Sequence, residues 1–340
     1  MQTERKCYLG IDVSKLWFDI ALLSVIDHQK QAMVMNRFEN TTAGLTLMGK
    51  WLKSYQVPIN ENTLVVIENT GVYHRLIWEY CSNHGLPIYI GNAAQIKWSL
   101  GVTRGKDDIK DSQRLCDYCY RHADRLKATP VLDPTFIQLK DLITARSRLM
   151  AQINSIAVYL KELKPYNSKE VQKLMEQAHK AALEGLKKSL QQVEEQIHKK
   201  VKESEVIRNS YELLVTVPGI GHLTAIYMIC YTNNFASGIS GKQLASYAGV
   251  VPFSNTSGTS IKGRNKVHKM ANKDLKKLLH LCSLTAIKNY PEFRQYYERK
   301  KIEGKHAMSI LNAVRNKIVL RAVAVIKNQR AYVDNYKNVA

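Results

Sequence analysis

Four acidic residues stand where a carboxylate is costly or crowded. Asp12 lies inside the apolar run YLGIDVS, and Glu68 closes a second one, VVIENTG. Asp108 and Asp111 fall in KDDIKDSQRL, beside Asp107. An apolar strand buries or half-buries its carboxylate, which is unfavourable unless the group is paired or bound to a metal. Residues three apart share one helix face, so Asp108 and Asp111 point together. Asp107 then points about 100° away around the helix, toward solvent. Four such charges in one place repel strongly. A hard divalent cation with oxygen ligands, Mg²⁺ or Mn²⁺, reverses that balance. A metal pair held this way can activate a nucleophile and stabilise the leaving oxygen at a phosphodiester. A plainer reading competes at each position: strand-end caps at Asp12 and Glu68, and a solvated helix face at Asp108 and Asp111.

A second candidate is Ser257 in PFSNTSGTS, which precedes Gly258 and a basic run. It could attack a phosphate, yet Ser254 and Ser260 look alike, and Ser/Gly loops are commonly turns. No Ser/His/Asp order is legible around it. His222, His268 and His280 read as surface or phosphate-contacting residues rather than bases.

The elements that must position these groups follow from patterning. CYLGIDVS (7–14) and WFDIALLSV (17–25) read as a hairpin, and MVMNRFEN (33–40) as a third strand. Helix 41–55 with Thr41 at its cap, strand 63–71, helix 73–85, strand 86–93 and helix 106–125 follow. The pattern predicts a mixed sheet flanked by helices. Asp133-Pro134 opens a long helix in which Leu142, Leu149, Ile156 and Leu163 recur every seven residues, with Leu139, Ile153 and Leu160 as companions. Leu183, Leu190 and Ile197, offset by Leu186 and Val193, mark its antiparallel partner. Heptad spacing leaves open whether these helices pair with each other or with a second subunit. VPGIGH (217–222) then forms a turn between apolar helices, where backbone N–H groups near Gly219 and Gly221 could meet phosphate. A helix, a polar Ser/Thr/Gly loop, a basic helix and two further helical segments complete the chain.

The charge balance says what such a scaffold meets. Lys and Arg number 50 against 29 Asp and Glu, a formal net charge of +21, which favours a polyanion, most plausibly nucleic acid. Lys262, Arg264, Lys266, Lys269, Lys273, Lys276 and Lys277 cluster around Asp274, and Lys15, Arg104 and Lys106 are further candidates for phosphate contact, with a plain surface lysine the competing reading at Lys106. At 45% hydrophobic the chain is globular rather than disordered. No apolar run is long enough to span a bilayer and no secretory leader is visible. Cys116 and Cys119 have C-x-x-C spacing without a second ligand pair, so buried thiols in a reducing cytoplasm are expected.

Taken together, these motifs resemble the DEDD transposases of the Piv-like insertion-sequence family, whose recombinases are guided by an element-encoded bridge RNA. The resemblance rests on GIDVSK (10–15), VIENTGVY (66–73), KDDIKDSQRL, VPGIGHLTA (217–225), AGVVP with the following Ser-Gly (248–258), and GRNKVHKMANKDLKKLL (263–279). Two positions depart from it: Asp107 where Thr or Asn is usual, and Ser112 where Ala is usual. The resemblance implies an α/β plus all-α chain: a RuvC-like RNase H fold over 1–132, a helical coiled-coil arm over 133–208, and a mainly α-helical transposase domain over 209–340. It implies that Asp12, Glu68, Asp108 and Asp111 hold Mg²⁺ and that Ser257 is the nucleophile, forming a phosphoserine link to DNA. It also implies donor and target duplexes, a structured guide RNA, and a dimer or tetramer in which acids and serine of different subunits combine. Two other classes compete: a RuvC-like nuclease or junction resolvase using metal-activated water, and a non-catalytic nucleic-acid-binding protein.

Overall fold

The computed structural model describes residues 4–99, 108–131, 134–236, 238–257, 261–267 and 271–333, and within them every side chain except those of 108–109, 254–257 and 261–266. The chain forms two compact units, Met1–Val131 and Leu132–Ala340.

In the first unit, β1 (Arg5–Val13) alternates: Cys7, Leu9, Ile11 and Val13 are buried on one face, leaving Tyr8, Gly10 and Asp12 for the other. Ser14 closes the following turn by donating its hydroxyl to the Trp17 carbonyl at 2.7 Å. The chain then returns antiparallel as β2 (Trp17–Ile26), with Asp12 opposite Asp19. The short β3 (Gln29–Lys30) and the third strand, β4 (Val34–Glu39), both pair with β2 antiparallel. Helix α1 (Thr42–Ser54) starts at Thr41, whose hydroxyl accepts the Gly44 N–H at 3.1 Å. It leads to β5 (Thr63–Glu68), parallel to β1. Helix α2 (Arg75–Asn83) then carries the chain to β6 (Ile88–Gly91), parallel to β5. The sheet order is β3-β2-β1-β5-β6, with β4 also on β2.

Helices cover both faces. Leu45, Met48 and Leu52 of α1 and Ile77 and Cys81 of α2 bury one face. On the other, α3 (Ala93–Ser99) contributes Ile96, and α4 (Asp108–His122) contributes Leu115, Tyr118 and Cys119. Each such side chain, fully buried, contributes about 1.5–3 kcal/mol. Gly10 sets how close α4 comes: a Cβ there would stand 2.0 Å from Cys116 N and 2.4 Å from Ser112 O, so helix backbone rests directly on strand backbone. The C-x-x-C thiols are part of this packing. Cys116 and Cys119 donate to the carbonyls of Tyr8 and Leu64 at 3.1 and 3.3 Å. Burial pushes the Cys116 thiol up to about 12 and raises Cys119 as well, which keeps both protonated.

Among the described residues, the second unit is helical apart from one hairpin. The long helices α5 (Pro134–Leu163) and α6 (Lys169–Glu203) pack against each other, bridged by Arg146 Nε to Glu194 Oε1 at 2.8 Å. The heptad leucines and isoleucines lie along the less exposed side of each helix. Phe136, Leu139 and Ile143 of α5 and Ile197 and Val201 of α6 enter the core of this unit. The remaining helices are α7 (Glu205–Val215), α8 (His222–Tyr231), α9 (Gly241–Tyr247), α10 (Lys273–Asn289), α11 (Pro291–Ile302) and α12 (Ala307–Asn328). The polar loop expected near Ser257 is instead largely an antiparallel pair, β7 (Phe253–Ser257) and β8 (Ile261–Lys266). Its stem is closed where Asn272 N–H donates to Tyr247 O at 2.8 Å and Asn272 Nδ2 donates to the Tyr247 hydroxyl at 3.1 Å. Backbone pairing meets the hydrogen-bonding needs of a polar segment that has few apolar residues to bury. No described helix is long and apolar enough to cross a membrane.

Candidate active site

Parallel strands β1, β5 and β6 end at the same edge of the sheet, and two of the predicted acids lie there. The β1–β5 pairing runs to Ile11 opposite Ile67, and Asp12 and Glu68 are the next residue of each strand. Both follow the alternation of Tyr8 and Gly10, and of Leu64 and Val66, whose face is the one α4 covers. Helix α4 brings the other pair. Asp108 is its first residue, and Asp111 precedes Ser112, which is buried.

Electrostatics tie strand to helix. Glu68 is held above the usual carboxylate range, first by burial and then by the negative charge of Asp111, with Lys97 opposing. Asp111 is itself paired to Arg114 Nη1 at 2.7 Å. Strand end and helix thus hold two acids within each other's field, and every candidate ligand is an oxygen donor, the set a hard divalent cation takes. Among the described residues, no three acidic, His or Cys side chains come together as a metal site; the side chain of Asp108 lies outside them.

Two neighbours escaped the sequence reading. Lys97 stands on α3, a helix the sequence analysis did not predict, although Asn92 marks its start by accepting from Ala94 N–H at 3.0 Å. Asp19, opposite Asp12, is almost fully buried and receives two bonds from Arg37, at 2.8 and 2.9 Å. The signal for Asp19 was an acid in the middle of WFDIALL, seven residues after Asp12.

The remaining candidates are placed as follows. Lys15 is exposed in the turn after β1. Arg104, Lys106 and Lys269 lie outside the described residues, as do the side chains of Ser257, Lys262, Arg264 and Lys266. Ser257 is the last residue of β7. Lys273 and Lys277 are exposed on α10, and Lys276 is half-buried. Gly219 and Gly221 form the turn into α8. Gly219 has φ +87°, and a Cβ there would stand 2.5 Å from Cys282 O, so this left-handed turn lies against α10. Gly221 stands at the N-cap of α8 and makes no side-chain capping bond.

The chain thus joins an α/β unit, with carboxylates at the ends of its parallel strands, to a helical unit carrying basic residues. A transposase model of the DEDD, IS110 type matches residues 9–163, and a model described as "Transposase IS116/IS110/IS902 family" matches residues 211–298. The pilin gene-inverting proteins of Moraxella bovis and Moraxella lacunata are each 26% identical over 344 aligned positions, covering 96% of this chain and 98% of theirs. An insertion element IS110 protein of Streptomyces coelicolor is 33% identical over 107 positions, 31% of this chain and 26% of its own. The chain belongs to the IS110 family of DEDD transposases. It is therefore a DNA-processing enzyme of the transposase or recombinase type.

Proposed function

We propose that this protein is the site-specific recombinase of an insertion sequence, cutting and rejoining DNA through Ser257 with the help of a metal-binding acidic cluster. The observation that carries the reading is the meeting of Glu68 and Asp111, with Asp12 on the neighbouring strand and Asp108 one turn earlier on the helix. The sheet order, three antiparallel strands continued by two parallel ones, supports a RuvC-like RNase H fold for the first unit. Asp12, Glu68, Asp108 and Asp111 would hold Mg²⁺ or Mn²⁺. The bound cation would supply Lewis-acid charge at the phosphate and the leaving oxygen. Ser257 Oγ forms a bond to phosphorus as the strand's own P–O bond breaks, and the leaving deoxyribose oxygen departs as a hydroxyl that takes up the proton the serine gives up. The resulting phosphoserine retains the bond energy needed for rejoining. Donor and target duplexes are both substrates.

The excess of positive charge supports an RNA partner as well as DNA. A structured guide RNA is gripped through its backbone and shape, while base pairing chooses the site. The long helices α5 and α6 support assembly into a homo-oligomer.

Purified protein, DNA bearing the element's ends, Mg²⁺ and RNA transcribed from the flanking region test this together. A denaturant-resistant protein–DNA adduct is expected. It is lost in Ser257→Ala, in EDTA and after RNase treatment. Cleavage that survives in Ser257→Ala refutes the serine and favours a resolvase using activated water.

A further inference from the structure

Arg315 is an anomaly of the second unit. It lies on α12 among Leu311, Val314, Ile318 and Val319 and is only 4% exposed. Its Nη2 donates to His280 Nδ1 at 2.6 Å, while its Nε is buried without any partner. A guanidinium so placed is normally matched by a carboxylate. Among the described residues its one bonded partner is an imidazole, which must be neutral at Nδ1 to accept that bond. Among those residues, then, a cation lies inside a helical core with nothing of opposite sign on it.

The surroundings suggest what completes it. His280 is on α10, half-buried, and continues the face of Lys273, Lys276 and Lys277 at three- and four-residue spacing. With Nδ1 engaged, its Nε2 carries the proton and is a donor. One turn before Arg315, Asn312 Nδ2 donates to Val250 O at 2.6 Å, anchoring the segment that runs into β7. The buried cation therefore stands at the end of a lysine-bearing helix face, beside the stem of the hairpin.

We propose that Arg315 and His280 form a binding site for a backbone phosphate of nucleic acid, at the end of the lysine track of α10. The site rests on the reading that the protein binds DNA and RNA. His280 Nε2–H donates to a phosphate oxygen, and Arg315, buried behind the ring, holds it through Nη2 and supplies the positive charge the phosphate answers. The free protein bears an unmatched charge, and the phosphate supplies its counter-charge. His280 is held below its ordinary pKa by burial and by Arg315, which favours the neutral donor form.

The test uses the full chain with two probes, a random-sequence DNA duplex and an RNA hairpin, each titrated across a range of salt. In Arg315→Met, affinity should fall roughly tenfold and the salt slope by about one phosphate. The unfolding midpoint should stay level or rise by a few degrees, because an unpaired buried charge has been replaced by an apolar chain. Arg315→Lys keeps the charge and should keep the slope. Loss with DNA alone assigns the phosphate to DNA, and loss with RNA alone assigns it to the guide. Unchanged affinity and slope in Arg315→Met, or equal losses in Met and Lys variants with a lowered midpoint, overturn the site. If the unaltered protein binds neither probe, the proposed function fails and the site fails with it.

Discussion

Gly10→Ala places one methyl group where strand and helix touch. The added carbon would stand 2.0 Å from Cys116 N and 2.4 Å from Ser112 O, where ordinary contact begins near 3.4 Å. Both atoms are helix backbone, so no side chain can swing aside. Helix α4 must withdraw by about 1.4 Å, the difference between those distances, or β1 must bend away. Overpacking of this kind costs about 1–3 kcal/mol, and more where backbone resists. The chemical effect is separate from the loss of stability and of similar size. Asp111 is the neighbour of Ser112, while Asp12 lies two residues beyond Gly10, so the shift opens the distance between strand acids and helix acids. A misplacement of about 1 Å costs roughly a hundredfold in rate. Thermal unfolding and Mg²⁺-dependent formation of the DNA adduct, measured on the same preparation, separate the two effects. A protein with a lowered midpoint and about a hundredfold slower adduct formation is expected. If Gly10→Ala unfolds at the original temperature and reacts at the original rate, α4 does not position the acids as argued.

Two more substitutions probe the charges around this edge. Glu68→Gln should abolish adduct formation yet raise the unfolding midpoint in EDTA. Glu68 is raised by burial and Asp111, so the folded state binds its proton more tightly than the unfolded chain; stability falls as pH rises between the ordinary carboxylate value and the raised one, and Gln removes that loss. An unchanged or lower midpoint at neutral pH in EDTA would contradict the repulsion. Arg37→Met strands Asp19, whose side chain is 8% exposed, and should cost about 1–3 kcal/mol, less than a fully buried pair because Arg37 is 47% exposed. Adding Asp19→Asn should return most of that loss in urea titrations, and a strictly additive double mutant would argue against the pair.

Much of the first unit is legible because strand periodicity and burial agree. Cys7, Leu9, Ile11 and Val13 alternate with Tyr8, Gly10 and Asp12, so the pattern already implies which face Asp12 takes. The helical period of α5 and α6 is legible for a similar reason, since one stripe of each helix is less exposed than the rest. What stayed hidden depends on contacts between distant residues. Helix α3 is seven residues long, too short for a helical period to stand out. The Asp19–Arg37 pair follows from the register of β2 and β4, which turn geometry and packing set together. In PFSNTSGTS three serines share one polar context, and periodicity cannot choose among them. Arg315 gave no sign, because patterning assigns a cation in an apolar helix to its wet side.

The two units therefore depart from good packing in opposite directions. At the sheet edge, Glu68 and Asp111 raise the energy of the free protein by mutual repulsion, only partly relieved by Lys97 and Arg114. In the helical unit, Arg315 does so through a positive charge that no carboxylate among the described residues answers. Neither arrangement helps the chain fold, and replacing either charge by a neutral side chain should stabilise the isolated protein. On the proposed function, a divalent cation would answer the first and a phosphate the second. Binding energy at both places is then larger than surface charges could give, because the desolvation was already met when the chain folded. On that reading, a protein with so large a positive charge concentrates acids at one sheet edge and buries a cation among aliphatic side chains because each acts where water would otherwise screen it.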